Sequence, residues 1–200
     1  MTLVKNLGAG ALLLGLAAPF AGSPYQAATG QIDISQLAGL IARGEDHIDP
    51  LQLAAWIRDR KAGLRVIDVR SPAEFADYAI PTAENIPIDR LPSAHFAGAE
   101  TVVLYSEGGA HAGQAWVLLK AMGVSNVLFI SGGLVDWYVG VMTPTLPADA
   151  SPAEVLAFEA TAELSRYFGG EPQIGGPSPI TSPPRATPPP RIADMRRRGC

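Results

Sequence analysis

The chain has 200 residues, 48% of them apolar and 17% charged, with a formal net charge of −4. That composition excludes a wholly disordered chain and provides for one domain with a buried core plus tails. The charge is uneven: residues 172–200 carry five arginines against Asp194 alone, so the rest of the chain is clearly acidic, which argues against nucleic-acid binding.

The first element lies in residues 1–30. Lys5 is the only charged side chain before Asp33, and an apolar run from Leu7 to Ala21 follows it, closing on Ala21, Gly22 and Ser23. A positive start, a short apolar stretch and small residues predict a secretory signal. At roughly 15 residues the run is short of the ~20 that span a bilayer, and Pro19 interrupts a helix. Phe20 and Pro24 blur the cleavage site, so an uncleaved membrane anchor and a buried core helix stay open as alternatives. Signal and anchor alike place the rest of the chain outside the cytoplasm, periplasmic or secreted in the first case. Membrane association then runs only through an uncleaved N-terminus.

Residues 31–47 form a helical lead-in, with Ile34, Leu37, Leu40 and Ile41 at helical spacing. Asp49-Pro50-Leu51-Gln52 starts a second helix, with Leu53, Trp56 and Ile57 on its apolar face and Gly63 at its end. Leu64 to Val69 is a buried strand. Ser71-Pro72-Ala73-Glu74 is a capping box that opens a short helix through Phe75 to Tyr78. Asn85 to Ile88 is a short extended piece, and Leu91 to Phe96 a single helical turn.

Thr101 to Tyr105 is a second apolar strand, ending in Ser106-Glu107-Gly108-Gly109-Ala110-His111. A helix follows from about Ala112 to Met122, with Trp116, Leu118, Leu119 and Met122 facing inward and Gly123 closing it. Val127 to Ile130 is a third strand. Gly132-Gly133 leads into a helix from Leu134 to Val141 that carries Trp137. Ser151-Pro152-Ala153-Glu154 caps a helix over residues 151–168, whose stripe Val155, Phe158, Ala162 and Leu164 is expected to pack on the domain. Strands alternating with helices predict parallel βαβ units. Residues 172–200, rich in proline and arginine, are expected to be disordered or polyproline-like. The shared Ser-Pro-Ala-Glu is one capping chemistry used twice, not a repeat. Cys200 is the sole cysteine, so no intrachain disulfide and no multi-cysteine zinc site can form. His47 and His95 suggest no metal cluster, and no cofactor is expected.

The strand–loop–helix at residues 106–111 is the constellation with chemical content. A tight glycine loop between a parallel strand and a helix N-terminus turns successive N–H groups inward and adds the helix dipole, which makes a cradle for an anion. The same geometry favours a nucleophile at residue 106 and lowers the pKa of any thiol placed there.

Several motifs in order now carry a resemblance. They are Val66-Ile67-Asp68-Val69-Arg70 with a following Pro-x-Glu-Phe, Ile80-Pro81, Ala83-Glu84-Asn85-Ile86-Pro87, the strand Val102 to Tyr105, and Asn126-Val127 leading to Gly132-Gly133 and Trp137. Residues 48–142 resemble a single rhodanese domain. The resemblance implies an α/β fold with a parallel central sheet, mostly of five strands, and helices on both faces. It also implies transfer of a sulfane sulfur carried as a persulfide on a cysteine at the first loop position. Here that position falls on Ser106, the position often held by arginine falls on His111, and the common Gly-His before Ile-Pro reads Tyr78-Ala79. A serine hydroxyl is barely ionised near neutrality without a base. Asp68 and Arg70 are expected to support the loop. Glu107 is expected to be solvated or to tune an acceptor site, and His111 to be a rim residue or a base.

Four functions follow for this fold. One is a non-catalytic module that binds a small oxyanion, a sulfur species or a protein partner. The others are a sulfurtransferase with an atypical nucleophile, a phosphatase-like activity, and a serine hydrolase, for which the Gly-x-Ser-x-Gly elbow is missing.

Overall fold

The computed structural model describes residues 33–98 and 100–176. The expected signal or anchor at residues 1–30, Cys200 and most of the Pro/Arg-rich segment lie outside the described residues.

In chain order the elements are α1 (Ile34–Ala42), β1 (His47–Ile48), α2 (Pro50–Arg58), β2 (Leu64–Asp68), α3 (Pro72–Asp77), β3 (Glu84–Asn85), a 3₁₀ helix (Ile88–Ser93), β4 (Thr101–Tyr105), α4 (Ala110–Ala121), β5 (Val127–Ile130), α5 (Gly133–Trp137) continued by a π turn (Tyr138–Met142), β6 (Thr145–Pro147), α6 (Pro152–Tyr167) and β7 (Gln173–Gly176). The first five strands form one sheet in the order β1-β5-β4-β2-β3, every pairing parallel.

Alternation along the strands sends side chains to two cores. Val66, Val103, Tyr105 and Ile130 join Leu53, Ala54 and Ile57 of α2, Trp137 of α5 and Leu164 of α6 on one face. Ile67, Val102, Leu104 and Val127 join Ala112, Trp116 and Leu119 of α4, with Leu91 of the 3₁₀ helix and the half-buried Leu37 and Leu40 of α1, on the other. All five residues of β4 are buried because both faces are covered.

Capping chemistry places the helix starts. The Ser71 and Ser151 boxes both form, each serine accepting from the N3 amide while the N3 glutamate accepts from the serine N–H. Asp49 caps α2 by accepting from Leu51 N at 2.7 Å, without the Gln52 return of a capping box. Helix α2 ends at Arg58 rather than at Gly63, because Arg60 already turns to φ 52° and Gly63, at φ 70°, serves the turn into β2.

Four further expectations are corrected. The extended piece expected at Asn85 to Ile88 forms at Glu84–Asn85, where Ile67 and Asp68 offer a strand edge, and Ile88 opens the 3₁₀ helix instead. Met122 was expected inward; it is the exposed C-cap of α4. His47, assigned to the helical lead-in, pairs with Phe129 as part of β1. Residues 173–176, assigned to the unstructured tail, form β7 parallel to β6. Gln173 N–H donates to Pro144 O at 2.8 Å and Glu171 N–H to Met142 O at 2.7 Å, which holds this return in place. Helix α6 packs as expected through Ala162 and Leu164, whereas Val155 of its predicted stripe is exposed.

Candidate functional site

Strand β2 runs on to β3 at one sheet edge, while β4 is followed by β5 toward the other. The C-terminal ends of β2 and β4 therefore flank the topological switch point, where open parallel sheets hold their ligands. Asp68 pairs with Tyr105, so Val69 comes beside Ser106, and Val69 N–H donates to Tyr105 O at 3.0 Å. A cleft of about 400 Å³ opens here, lined by Val69, Arg70, Ser71, Glu74, Ile88, Ser106, Glu107, Gly108, Ala110 and His111.

Ser106 leaves β4 almost fully buried, with 2% of its surface exposed. Its Oγ accepts the Ala112 N–H at 3.2 Å, so the side chain caps the first turn of α4 from within. Gly109 is the N-cap of that helix at φ 91°, a left-handed conformation suited to glycine. Helix α4 begins at Ala110, two residues earlier than expected, so Ala110 and His111 belong at once to the loop and to the first helical turn. The N–H groups of Gly108, Gly109, Ala110 and His111 donate to no backbone carbonyl among the described residues. Those of Gly109, Ala110 and His111 belong to the first turn of α4, where a helix has no carbonyl of its own to offer. His111 is exposed on the rim.

A second loop supports the first. Leu134 N–H donates to Ser106 O at 2.9 Å and Val135 N–H to Glu107 O at 3.0 Å. Gly133 makes this approach available: a Cβ there would stand 2.5 Å from Ser106 O and 2.8 Å from Glu107 O. The Gly132-Gly133 pair therefore serves the loop at 106–111 as well as the start of α5.

Behind the cleft lies a polar network. Asp68 is fully buried and Arg70 nearly so. The Arg70 Nε donates to both Asp68 carboxylate oxygens at 3.0 and 3.1 Å, Nη2 donates to Asp68 Oδ2 at 2.6 Å, and Nη2 also donates to Tyr78 O at 2.7 Å. Burial acts to lower the Arg70 pKa, but the bonds and charge of Asp68 outweigh it and hold the guanidinium above its ordinary value. Asn85 Nδ2 donates to the carbonyls of Asp68 and Arg70 at 3.1 and 2.9 Å, fixing the turn that carries them. Burial, then the negative charge of Asp68, pushes the Tyr105 phenol far up, so it is neutral at any ordinary pH. Its oxygen accepts the Ile80 N–H at 3.1 Å. Trp137 Nε1–H donates to Tyr78 Oη at 3.1 Å.

The structure thus brings together Ser106, Glu107, Gly108, Ala110, His111 and Arg70 around one cleft, with Gly109 buried in the same loop and Asp68 behind Arg70. Sequence reading missed the opposite wall, Ser71, Glu74 and Ile88, and the tie from Tyr78 to Trp137. Two five-residue strands with similar chemistry at residues 64–68 and 101–105 were the available signal. Paired in parallel, they bring the turn after β2 alongside Ser106. Among the described residues, no group of side chains could hold a metal ion, and no helix is long and apolar enough to cross a membrane.

Residues 49–139 match the family model described as "Rhodanese-like domain". Among curated proteins, a sulfurtransferase of Allochromatium vinosum is 32% identical over 94 residues, which are 46% of this chain and 87% of that protein. An uncharacterized protein of Synechocystis is 31% identical over 93 residues, 46% of this chain and 51% of that protein. A probable adenylyltransferase/sulfurtransferase MoeZ of Mycobacterium tuberculosis is 31% identical over 116 residues, 53% of this chain and only 29% of that protein. Of solved structures, a human single-domain sulfurtransferase aligns with TM-score 0.41 and 24% identity over 46% of this chain and 94% of its own. The sheet order, the motif-bearing cleft and the relative covered over most of its length agree: the chain belongs to the rhodanese-like family.

Proposed function

We propose that this chain is an exported rhodanese-like protein that does not transfer sulfur by the persulfide route and uses the loop at 106–111 as a binding cradle. Ser106 carries the reading. It stands where the family resemblance places the sulfur-carrying cysteine, and a hydroxyl with no base is not a nucleophile near neutrality. The resolved hydrogen bond at Ser106 Oγ comes from the Ala112 amide, a donor that stabilises the side chain but cannot take its proton. Loop donors, a left-handed Gly109 and a buried guanidinium beside the cleft support a site kept for recognition of an anionic group. Sulfurtransferase-named relatives at about 31% identity keep the active alternative as an outcome of the test. Export rests on Lys5 and the apolar run from Leu7 to Ala21.

The test compares thiosulfate-to-cyanide sulfur transfer for the native protein and Ser106→Cys, with persulfide read by mass spectrometry. Native turnover should stay at background, and the variant should take up sulfur at saturating thiosulfate. Native turnover equal to the variant's overturns the reading, and turnover lost in Cys200→Ser would transfer the chemistry to that thiol. Fractionation of cells expressing the full chain checks export; a full-length cytoplasmic product refutes it.

A further inference from the structure

Helix α6 presents a face that no described residue covers. Leu156, Glu159, Glu163 and Tyr167 fall at i, i+3, i+7 and i+11, on one side of the helix. All four are exposed, Leu156 at 71% and Tyr167 at 56%. The other side carries the buried Ala162 and Ser165. No residue from Ser151 to Ala157 is buried or half-buried, so the first two turns stand clear of the core that holds the later ones. Residues 149–171 hold five carboxylates against Arg166 alone. Arg58 of α2 adds its field at Glu163, but its side-chain bonds run to Asp59, at 2.8 and 3.3 Å. The chain that follows has the opposite sign, and it leaves beside this face. Gly176, the last residue of β7, pairs with Pro147 of β6; Pro147 O accepts the Ala150 N–H at 3.3 Å, and Ser151 caps α6 next. The exit therefore lies at the N-terminal end of α6. Residues 177–184 carry no charge and include Ile180 and four prolines; Arg185, Arg191, Arg196, Arg197 and Arg198 come after them, against Asp194. Arg185 is nine residues beyond Gly176. Nine residues extend to roughly 30 Å, ample against the roughly 24 Å length of a helix such as α6. The order along the segment matches the order along the helix: Leu156 first, then Glu159 and Glu163, then the Tyr167 ring, on which a guanidinium stacks.

We infer that the outer face of α6 is the docking surface for the chain's own segment 177–198, with the uncharged proline-rich part at Leu156 and the arginines at Glu159, Glu163 and Tyr167. Tethering makes the contact intramolecular, at an effective concentration on the order of mM. Pairs between exposed charges, each weak alone, then suffice to populate it. Charge rather than Leu156 sets its strength, so the contact weakens as salt rises. The inference is independent of what the cleft binds.

The sole cysteine makes the test direct. Cys200 lies two residues beyond Arg198 and takes a nitroxide spin label without any substitution. In the isotope-labelled full chain at low salt, the amide resonances of Glu159, Glu163 and Tyr167 should lose about half their intensity or more. Those of α1 and α4, which pack on the other face of the sheet, should keep theirs. Salt at about 1 M, where the screening length is about 3 Å, should restore the α6 signals. Arg196→Gln, Arg197→Gln and Arg198→Gln together should restore them at low salt while leaving every residue of the described fold unchanged. Glu159→Gln with Glu163→Gln should do the same from the helix side. No loss at α6, or equal loss on both faces of the sheet, would overturn the docking. A loss that neither salt nor either set of variants moves would overturn the pairing of charges that defines the surface. A spin-labelled chain without isotope, mixed with isotope-labelled Cys200→Ser chain, should leave the α6 signals intact; loss in that mixture would give the face to the segment of a second copy and overturn the intramolecular contact.

Discussion

Arg70 and Asp68 form an ion pair that water does not reach from the Asp68 side, and its geometry is unusually complete. The carboxylate receives both Nε and Nη2 as well as the Arg70 backbone N–H at 2.9 Å, so every charge-bearing atom of Asp68 is occupied. Removing one partner from such a pair leaves a buried charge without its counter-ion, a larger loss than the net value of the pair. Arg70→Met should therefore cost about 3–5 kcal/mol of unfolding free energy. Asp68→Asn together with Arg70→Met should recover a good part of that loss, because the stranded charge is gone. Urea denaturation of the three proteins measures this; a double variant no better than Arg70→Met alone would place the cost in lost packing. Tyr105 belongs to the same unit. Its phenol is held neutral beside Asp68, so it contributes its oxygen to Ile80 N–H as a fixed acceptor across the pH range in which the protein is folded. Asp68 and Arg70 were expected to support the loop; their side-chain bonds run to each other and to Tyr78 O, and the Arg70 side chain lines the cleft.

At the scale of elements, two loops from different βα units lock together at residues 106–109 and 132–135. Gly133 sits at φ 61° with two carbonyl oxygens of the first loop inside the space a methyl group would need. Gly133→Ala thus meets both a disfavoured backbone conformation and backbone atoms that cannot step aside. A loss of about 2–4 kcal/mol is expected, together with broadening of the Gly108 to His111 amide resonances, since Leu134 N–H holds Ser106 O in place. Unchanged resonances would show that the loops are independent. Elements of this kind differ in how far they can be read from sequence. The strands Thr101–Tyr105 and Val127–Ile130 and both serine capping boxes were legible, because apolar runs and Ser-Pro-Ala-Glu are local signals. Strand β1 was not, since His47 and Ile48 are two residues that become a strand only beside Phe129 and Ile130. Glu74 was read correctly as a cap, but its place on the cleft wall comes from the pairing of β2 with β4. Ser106 and its loop were legible from glycine placement after a strand. The function of Gly133 as the floor of that loop was not, because it is a contact between segments some 25 residues apart in sequence.

For the whole molecule, the notable fact is that the core does not end where the family match ends. The match closes at residue 139, yet Leu164 of α6 belongs to the same buried cluster as Leu53, Ile57 and Trp137. Phe168 packs edge-on against the Trp137 ring at a centroid distance of 5.2 Å. Trp137 in turn donates to Tyr78, whose carbonyl receives Arg70, so the helix α6 backs the wall of the cleft through two intermediates. Chain closure is secured beyond the helix: Gly170 N–H donates to Ser165 O at 2.8 Å, Glu171 N–H reaches Met142 O, and β7 lies along β6. If α6 were an appendage, deleting it would leave the domain unchanged. If it completes the core, its removal uncovers α2 and Trp137. A chain ending at residue 142 should therefore unfold at clearly lower denaturant than the full chain and expose Trp137 to an external quencher. Leu164→Ala tests the same point without truncation: deleting a leucine side chain from a packed core costs about 2–4 kcal/mol, whereas Leu156→Ala, at a position 71% exposed on the same helix, should shift stability by no more than about 0.5 kcal/mol. Equal, small effects at both positions would make α6 a separate passenger; the expected asymmetry makes it the last wall of the domain.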